Sequence, residues 1–483
     1  MGFRKNAELA VDAGVLLLSA SYHRYPRASL SDKGYRRERR FDLRFLTSLV
    51  LAVTFLGTAH ANVTEATLDN GMKVLVKRDA RAPIAVSMVW YRIGGSYEEP
   101  GSTGLSHVLE HMMFRGTKNT EPGEFSRTIS ALGGSENAFT SRDYTAYFET
   151  LAVEHLDKAL ELEADRMRNM TLNNDEFVRE LEVVKEERRL RTDDKPTGLL
   201  YEQLMSTAYR ASSYQNPVIG WMNDLDQMKV EGLKRWYDMW YQPNNATLVV
   251  VGDVEGAYVV AMAKKHFGSI PRGDVPQLKE TPEPPQRGLT RVNVSVPAKQ
   301  PYLLMGYKVP VIGSGAEEWE PYALAVLSSI LDGGDSARLT SEMVREQKLA
   351  ASAGASYDAY SRLPSLFLMD GVPNEGVTLN QIEQALLEQV KRLHDAPISS
   401  DELKRVVTQA VAQKVFAADS FMSQAMELGS LDSIGLDWRL VNVEIENLKK
   451  VTPEQVQAVA KKYLVEKNLT IARLDPELTG VQQ

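Results

Sequence analysis

The apolar positions of the chain change period from two to about 3.6 and back several times, and each change marks an element. Val63-Thr64-Glu65-Ala66-Thr67-Leu68 and Met72-Lys73-Val74-Leu75-Val76-Lys77 flank Asp69-Asn70-Gly71, a pattern that predicts a hairpin. Ile84 to Tyr91 predicts a further strand, followed by Gly94-Gly95. Helical spacing occupies 103–115, 123–132, 153–169, 174–191 and 230–240. The loop Gln242-Pro243-Asn244-Asn245 then leads into a strand from Ala246 to Val251. Residues 271–288 hold Pro271, Pro276, Pro282, Pro284 and Pro285 among scattered charges and predict a linker. The second half starts similarly, with strands at 290–296 and 301–309 and helices at 317–331, 336–348, 377–394, 400–417 and 453–463. Strands and helices interleave without a strict βαβ rhythm. That predicts α+β architecture: two similar domains, each a mainly antiparallel sheet packed by helices. The expected division is an extension and signal peptide at 1–61, a first domain at 62–270, a linker at 271–289 and a second domain at 290–483.

Composition narrows the chemistry. The 483 residues are 43% hydrophobic and 25% charged, as in a soluble globular protein. There is no Cys, so disulfides and thiolate chemistry are excluded, and any metal must be held by nitrogen and oxygen. A net charge of −8 argues against a general nucleic-acid binder. That charge is uneven: residues 1–61 carry ten Lys or Arg and five acids, 10 − 5 = +5, which leaves −8 − 5 = −13 for the rest. The basic stretch Tyr35 to Arg40 precedes an uncharged run from Phe45 to Ala61 that ends in Ala59-His60-Ala61. This is the pattern of a secretory signal peptide, cleaved after Ala61, and predicts a periplasmic or secreted protein. The alternative is an uncleaved membrane anchor over 45–61, although the apolar run is short for a span of roughly 20 residues. Residues 1–34 look unlike a signal's basic start, which places the expected start codon near Tyr35.

Beyond the signal the chain has five His, and two fall in His107-Val108-Leu109-Glu110-His111. On a helix His107 and His111 lie about 40° apart, with Glu110 about 60° to the other side of His107. Leu105, Val108, Leu109, Met112 and Met113 cluster opposite, leaving Phe114 as the one large apolar residue on the polar face. Two imidazoles at this spacing can meet one tetrahedral Zn²⁺, and a carboxylate beside it can take a proton from bound water. Such a site needs a third protein ligand. The acid-rich helix from Asn174 to Glu187 offers several. With Phe177 at 0°, Leu181, Val183 and Val184 fall at about 40°, 240° and 340°. Glu180 and Glu187 fall within that arc at about 300° and 280°, whereas Glu182 and Glu186 face water at about 140° and 180°. Two inward carboxylates are costly unless a metal and its His ligands neutralise them.

His107-x-x-Glu110-His111 resembles the inverted zinc signature of the pitrilysin/insulinase peptidases. Glu187 follows His111 by 187 − 111 = 76 positions and Glu180 precedes it by seven, which is similar to that family's spacing. Gly133-Gly134-Ser135-Glu136-Asn137-Ala138-Phe139-Thr140 resembles its substrate-binding edge strand, and Tyr241-x-Pro243-Asn244-Asn245-Ala246 and Val251-Gly252-Asp253-Val254 resemble the close of its first domain. The resemblance spans about residues 62–480. It implies one Zn²⁺ per chain on His107, His111 and Glu187, Glu110 as general base, and Glu180 orienting a His from behind. It implies that Asn137 and Ala138 hold an extended peptide, though Asn137 also reads as a turn residue after Gly133-Gly134. It further implies a clamshell chamber that admits unstructured peptides as the substrate of a zinc endopeptidase.

The second half departs from the pattern. It has no His-x-x-Glu-His, and Val344-Arg345-Glu346-Gln347-Lys348-Leu349-Ala350-Ala351 resembles the family's substrate-binding Arg and Tyr motif one residue short. Arg345 is present, but Ala351 or Ser352 stands in the Tyr slot, and Tyr357 and Tyr360 are out of register. In two-subunit members an inactive partner supplies this pair. The resemblance therefore implies a heterodimer with a homologous zinc-free subunit, or a homodimer. Two further readings stay open: a non-catalytic or partner-dependent peptide-binding and processing subunit, and a different zinc hydrolase on an unrelated fold.

Overall fold

The computed structural model describes residues 63–279 and 281–477. The expected signal peptide, its cleavage point and the alternative anchor all lie outside the described residues.

Eleven strands among these residues form two sheets. In the first half they are β1 (Val63–Thr67), β2 (Lys73–Arg78), β3 (Ile84–Tyr91), β4 (Ser135–Thr140), β5 (Thr145–Ala152) and β6 (Ala246–Gly252). In the second they are β7 (Thr290–Val296), β8 (Tyr302–Val309), β9 (Ala350–Ser356), β10 (Ser365–Pro373) and β11 (Leu469–Pro476). The spatial orders are β1-β2-β6-β3-β5-β4 and β7-β11-β8-β10-β9. Without β1 the two orders are the same path, each with a single parallel pair, β2 with β6 and β7 with β11. The similar halves read from the sequence are therefore one unit used twice, and the architecture is α+β. The hairpin at Asn70-Gly71 forms as expected, pairing Thr67 with Lys73. Between Ile270 and Thr290 the described residues form neither helix nor strand.

Each sheet is buried on both faces, which explains why β6 carries the unbroken apolar run Leu-Val-Val-Val. On the first sheet, Val74, Val89, Leu248 and Val250 face helices of the same half. The alternate residues Leu75, Met88, Trp90, Val249 and Val251 meet Phe421, Ala425 and Leu428, from a helix of the other half, Phe421–Ser433. The exchange is mutual. The Pro196–Ala208 helix of the first half sets Leu200, Leu204 and Met205 against Leu304, Leu366 and Leu474 of the second sheet. Neither lent helix was legible as an element, because each buries polar residues, Glu202 in one and Gln424 and Asp432 in the other, that break the apolar stripe of a helical period. The spacing at 336–348 predicted an ordinary helix; the chain instead winds as a π-helix over Leu339–Glu346.

Two features lock the exchanged helix Phe421–Ser433. Buried Asp432 accepts from Lys73 Nζ at 2.5 Å, Thr247 Oγ1 at 2.5 Å and Arg92 Nη2 at 2.9 Å. Gly429 lies so close over Trp90 that an added Cβ would fall 2.1 Å from the indole. Gly429→Ala should therefore destabilise the chain by about 1–3 kcal/mol, as overpacking does. A denaturation midpoint equal to wild type would show that the helix does not seat on Trp90.

Candidate metal centre

The Leu105–Met112 helix starts at Gly104, whose φ of 89° suits glycine. Its free amino end is satisfied by buried Glu98, whose carboxylate accepts from Gly104 N at 2.7 Å and Ser106 N at 2.6 Å. Burial pushes the Glu98 carboxyl up to about 8, against these two bonds. Leu105, Val108, Leu109 and Met112 enter the core, and His107, Glu110 and His111 occupy the opposite side. Phe114 packs against the core and stacks over the Arg166 guanidinium at 5.1 Å, away from the open polar face assigned to it.

The helix Asn174–Arg188 is capped by Asn173, which accepts from Asp175 N at 2.7 Å. Phe177, Glu180, Leu181 and Val184 are buried, and Glu182 and Glu186 are exposed. The expected arc was too wide on one side. Val183, at its 240° margin, is 49% exposed. Arg188 falls near 20° on the same wheel and is buried, donating to Glu202 Oε2 at 2.8 Å and Oε1 at 3.1 Å.

The two helices bring His107, His111 and Glu187 together, with one ligand atom of each within 4.8 Å of the others. Glu187 Oε2 lies 3.4 Å from His111 Nε2, and Glu187 Oε1 lies 3.9 Å from His107 Nε2. On the far side of His111, Nδ1 faces Glu180 Oε2 at 3.4 Å, and Glu180 Oε1 pairs with Arg115 at 2.7 Å. Arg191 holds Glu187 Oε1 at 2.7 Å. Burial pushes His107 down to about 3, so its imidazole is neutral, as a metal ligand must be. Burial opposes a charge on His111, yet Glu180 and Glu187 raise it to about 9, so a cation binding there would displace its proton. Burial would also raise Glu187, but His111, His107 and Arg191 hold it down at about 2. Two imidazole nitrogens and an ionised carboxylate, with no thiolate, fit a divalent ion such as Zn²⁺.

Glu110 stands beside this group, and Thr140 Oγ1 donates to its Oε2 at 2.5 Å. Burial raises the Glu110 carboxyl above its ordinary value, with Thr140 opposing the shift. The Thr140 contact could not be read from spacing, since it joins positions 30 residues apart. Thr140 closes β4, one of the two edge strands of the first sheet. On the same strand Asn137 is exposed, Ala138 is buried, and Asn137 Oδ1 accepts from Ala138 N at 2.9 Å. Arg345 sits on the π-helix of the second half, half-exposed and paired with Asp335 at 2.9 Å. Tyr357 donates its hydroxyl to Pro310 O at 2.7 Å, and the Tyr360 hydroxyl bonds Glu444.

Comparison with known proteins gives concordant matches. The family model "Insulinase (Peptidase family M16)" matches residues 73–221, and "Peptidase M16 inactive domain" matches residues 227–410. The zinc protease PqqE of Helicobacter pylori is 35% identical over 371 residues, covering 74% of this chain and 82% of that protein. The crystal structure of a protease from Helicobacter pylori superposes with a TM-score of 0.82 at 30% identity, over 86% of this chain and 100% of that one. The periplasmic protease PqqL of Escherichia coli shares the fold at a TM-score of 0.72 and 17% identity, the match taking up 48% of its chain.

Proposed function

Since the chain belongs to the insulinase family of peptidases, family M16, we propose that it is a zinc-dependent endopeptidase acting on unstructured peptides. The observation that carries this reading is the convergence of His107, His111 and Glu187 beside a carboxylate, Glu110, that is not one of the three. Zn²⁺, when bound, supplies Lewis acidity that acidifies water and polarises a carbonyl. His107, His111 and Glu187 would hold it, and Glu180 fixes the ring of His111 from its Nδ1 side. Glu110 accepts a proton from water and returns it to the leaving amine, a role its burial-raised carboxyl favours. The outer edge of β4 has no strand beside it among the described residues, and an extended peptide would add there past Asn137 and Ala138. The α+β fold of the family sets aside a zinc hydrolase of unrelated architecture. Cleavage of an unstructured peptide that stops with a chelator and returns with zinc tests the reading.

The second reading, a subunit that depends on a partner for full activity, is favoured by one observation. The hydroxyls of Tyr357 and Tyr360 are engaged with Pro310 and Glu444, so neither is poised to replace the Tyr missing after Arg345. We infer a heterodimer with a homologous zinc-free chain that supplies Arg and Tyr. A lost donor of this kind costs ~10²–10³ in rate. The basic stretch and apolar run before Asn62 support export and a periplasmic or secreted location, with a membrane anchor over 45–61 as the alternative. One preparation tests both points. The exported protein should have the mass of a chain that starts at Asn62, and its turnover alone should be weak and rise when the partner is added. Full turnover by the isolated chain, lost on Tyr357→Phe or Tyr360→Phe, would overturn the heterodimer.

A further inference from the structure

Arg362 of the zinc-free half reaches the segments that flank the site. Arg362 lies in the turn between β9 and β10. Its backbone N donates to Asp143 Oδ2 at 3.1 Å, and its Nε donates to Asp143 Oδ1 at 3.4 Å. Its Nη2 donates to Ser96 Oγ at 2.8 Å, and its guanidinium lies 4.3 Å from the centre of the Tyr97 ring. Both ionised side chains are nearly enclosed, at 13% exposure for Arg362 and 8% for Asp143. The pair is completed by Ser96 Oγ, donating to Asp143 Oδ1 at 2.8 Å, and by the Tyr214 hydroxyl, donating to Asp143 Oδ2.

What Arg362 grips is the important point. Asp143 sits in the turn between β4 and β5, three residues beyond Thr140, which holds Glu110. Ser96 and Tyr97 sit two residues and one residue before Glu98, which caps the helix bearing His107, Glu110 and His111. The same segment is stitched to the turn by its backbone, Gly95 N to Ser141 O at 3.1 Å and Ser96 N to Arg142 O at 2.7 Å. Gly94 approaches so closely that a Cβ there would lie 2.4 Å from Ser141 O. One guanidinium thus joins the turn that follows β4 and Thr140 to the segment that leads into Glu98, the cap of the motif helix.

We propose that Arg362 is a positioning residue for the active site: the zinc-free half sets the alignment of β4 and Glu110 against the metal-binding helix. This rests on the peptidase reading and extends it, giving the second half a task inside its own chain besides any contribution across a dimer. Misplacing reacting groups by about 1 Å costs up to ~10²-fold in rate, even from a distant substitution.

The test compares the zinc-loaded Arg362→Gln and Arg362→Lys variants with wild type for zinc content, thermal midpoint, kcat and KM on an unstructured peptide. Amide exchange over residues 135–145 is measured alongside. For Arg362→Gln, zinc content is expected to be unchanged, kcat/KM lower by about 10–100-fold, and exchange over 135–145 faster. Lys, which keeps the charge but not the planar fork, should recover part of the loss. Wild-type kcat/KM in a folded, zinc-loaded Gln variant would overturn the proposal, as would a loss that merely tracks missing zinc. Should the Gln variant fail to fold, the Lys variant carries the same readouts. A wild-type protein that cleaves no unstructured peptide, either alone or with its partner, would sink the peptidase reading instead. The exchange measurement needs no turnover and would still decide on Arg362, with unchanged protection counting against it.

Discussion

Glu110→Gln should leave zinc bound and abolish nearly all hydrolysis. The ligand atoms that converge belong to His107, His111 and Glu187, so the substitution takes nothing from the metal's protein donors. The carboxamide is close to isosteric, and its oxygen can still accept from Thr140 Oγ1, which Glu110 Oε2 does at 2.5 Å. What it cannot do is accept a proton. Burial raises the Glu110 carboxyl, bringing its basicity closer to the operating range of a general base. Removing that group should lower kcat by ~10²–10⁴. Steady-state kinetics on an unstructured peptide, read beside metal analysis of the same sample, check this. Retained turnover at full zinc occupancy would move the role of base elsewhere.

Glu187→Gln should strip the metal, and here the comparison with neighbouring acids matters more than the single loss. Glu187 faces both imidazoles, whereas Glu182 and Glu186 point to water and pair with Lys185 and Arg189. Glu182→Gln and Glu186→Gln should therefore bind zinc as wild type does. Glu180 touches His111 on the side away from Glu187, so Glu180→Gln should weaken zinc affinity by ~10–100-fold without abolishing it. Competition with a chelator of known strength orders the four variants. If Glu186→Gln lost the metal and Glu187→Gln kept it, the placement of Glu187 would be wrong.

The residues legible in the sequence were those fixed by a single helix. His107, Glu110 and His111 share a face by local geometry, and a helical wheel was enough to separate Glu180 and Glu187 from Glu182 and Glu186. The wheel erred at Val183, which is exposed, and because it counts apolar residues it gave no reason to bury Arg188, which the structure seats on the Glu202 carboxylate. Strand repeats were legible too, since β6 and β8 carry apolar runs that only a sheet covered on both faces explains. Contacts between distant segments were not. Thr140 reaches Glu110 within the first half, and Asp432 reaches Lys73 and Arg362 reaches Asp143 across the two halves; each pair is brought together by tertiary packing rather than by a local period. The exchanged helices Pro196–Ala208 and Phe421–Ser433 were missed because their buried faces carry polar residues, which blurs the apolar period.

The central claim is that His107, His111 and Glu187 hold one zinc ion whose presence turns Glu110 into a peptide-cleaving base. Its most direct test is metal content and peptide cleavage on one wild-type preparation, before and after a chelator and after zinc is restored. The account predicts one zinc per chain and cleavage, whether by the chain alone or with its partner, that falls with the metal and returns with it. A protein that keeps cleaving after its metal is gone, or that holds no metal as purified and takes up none, would contradict it.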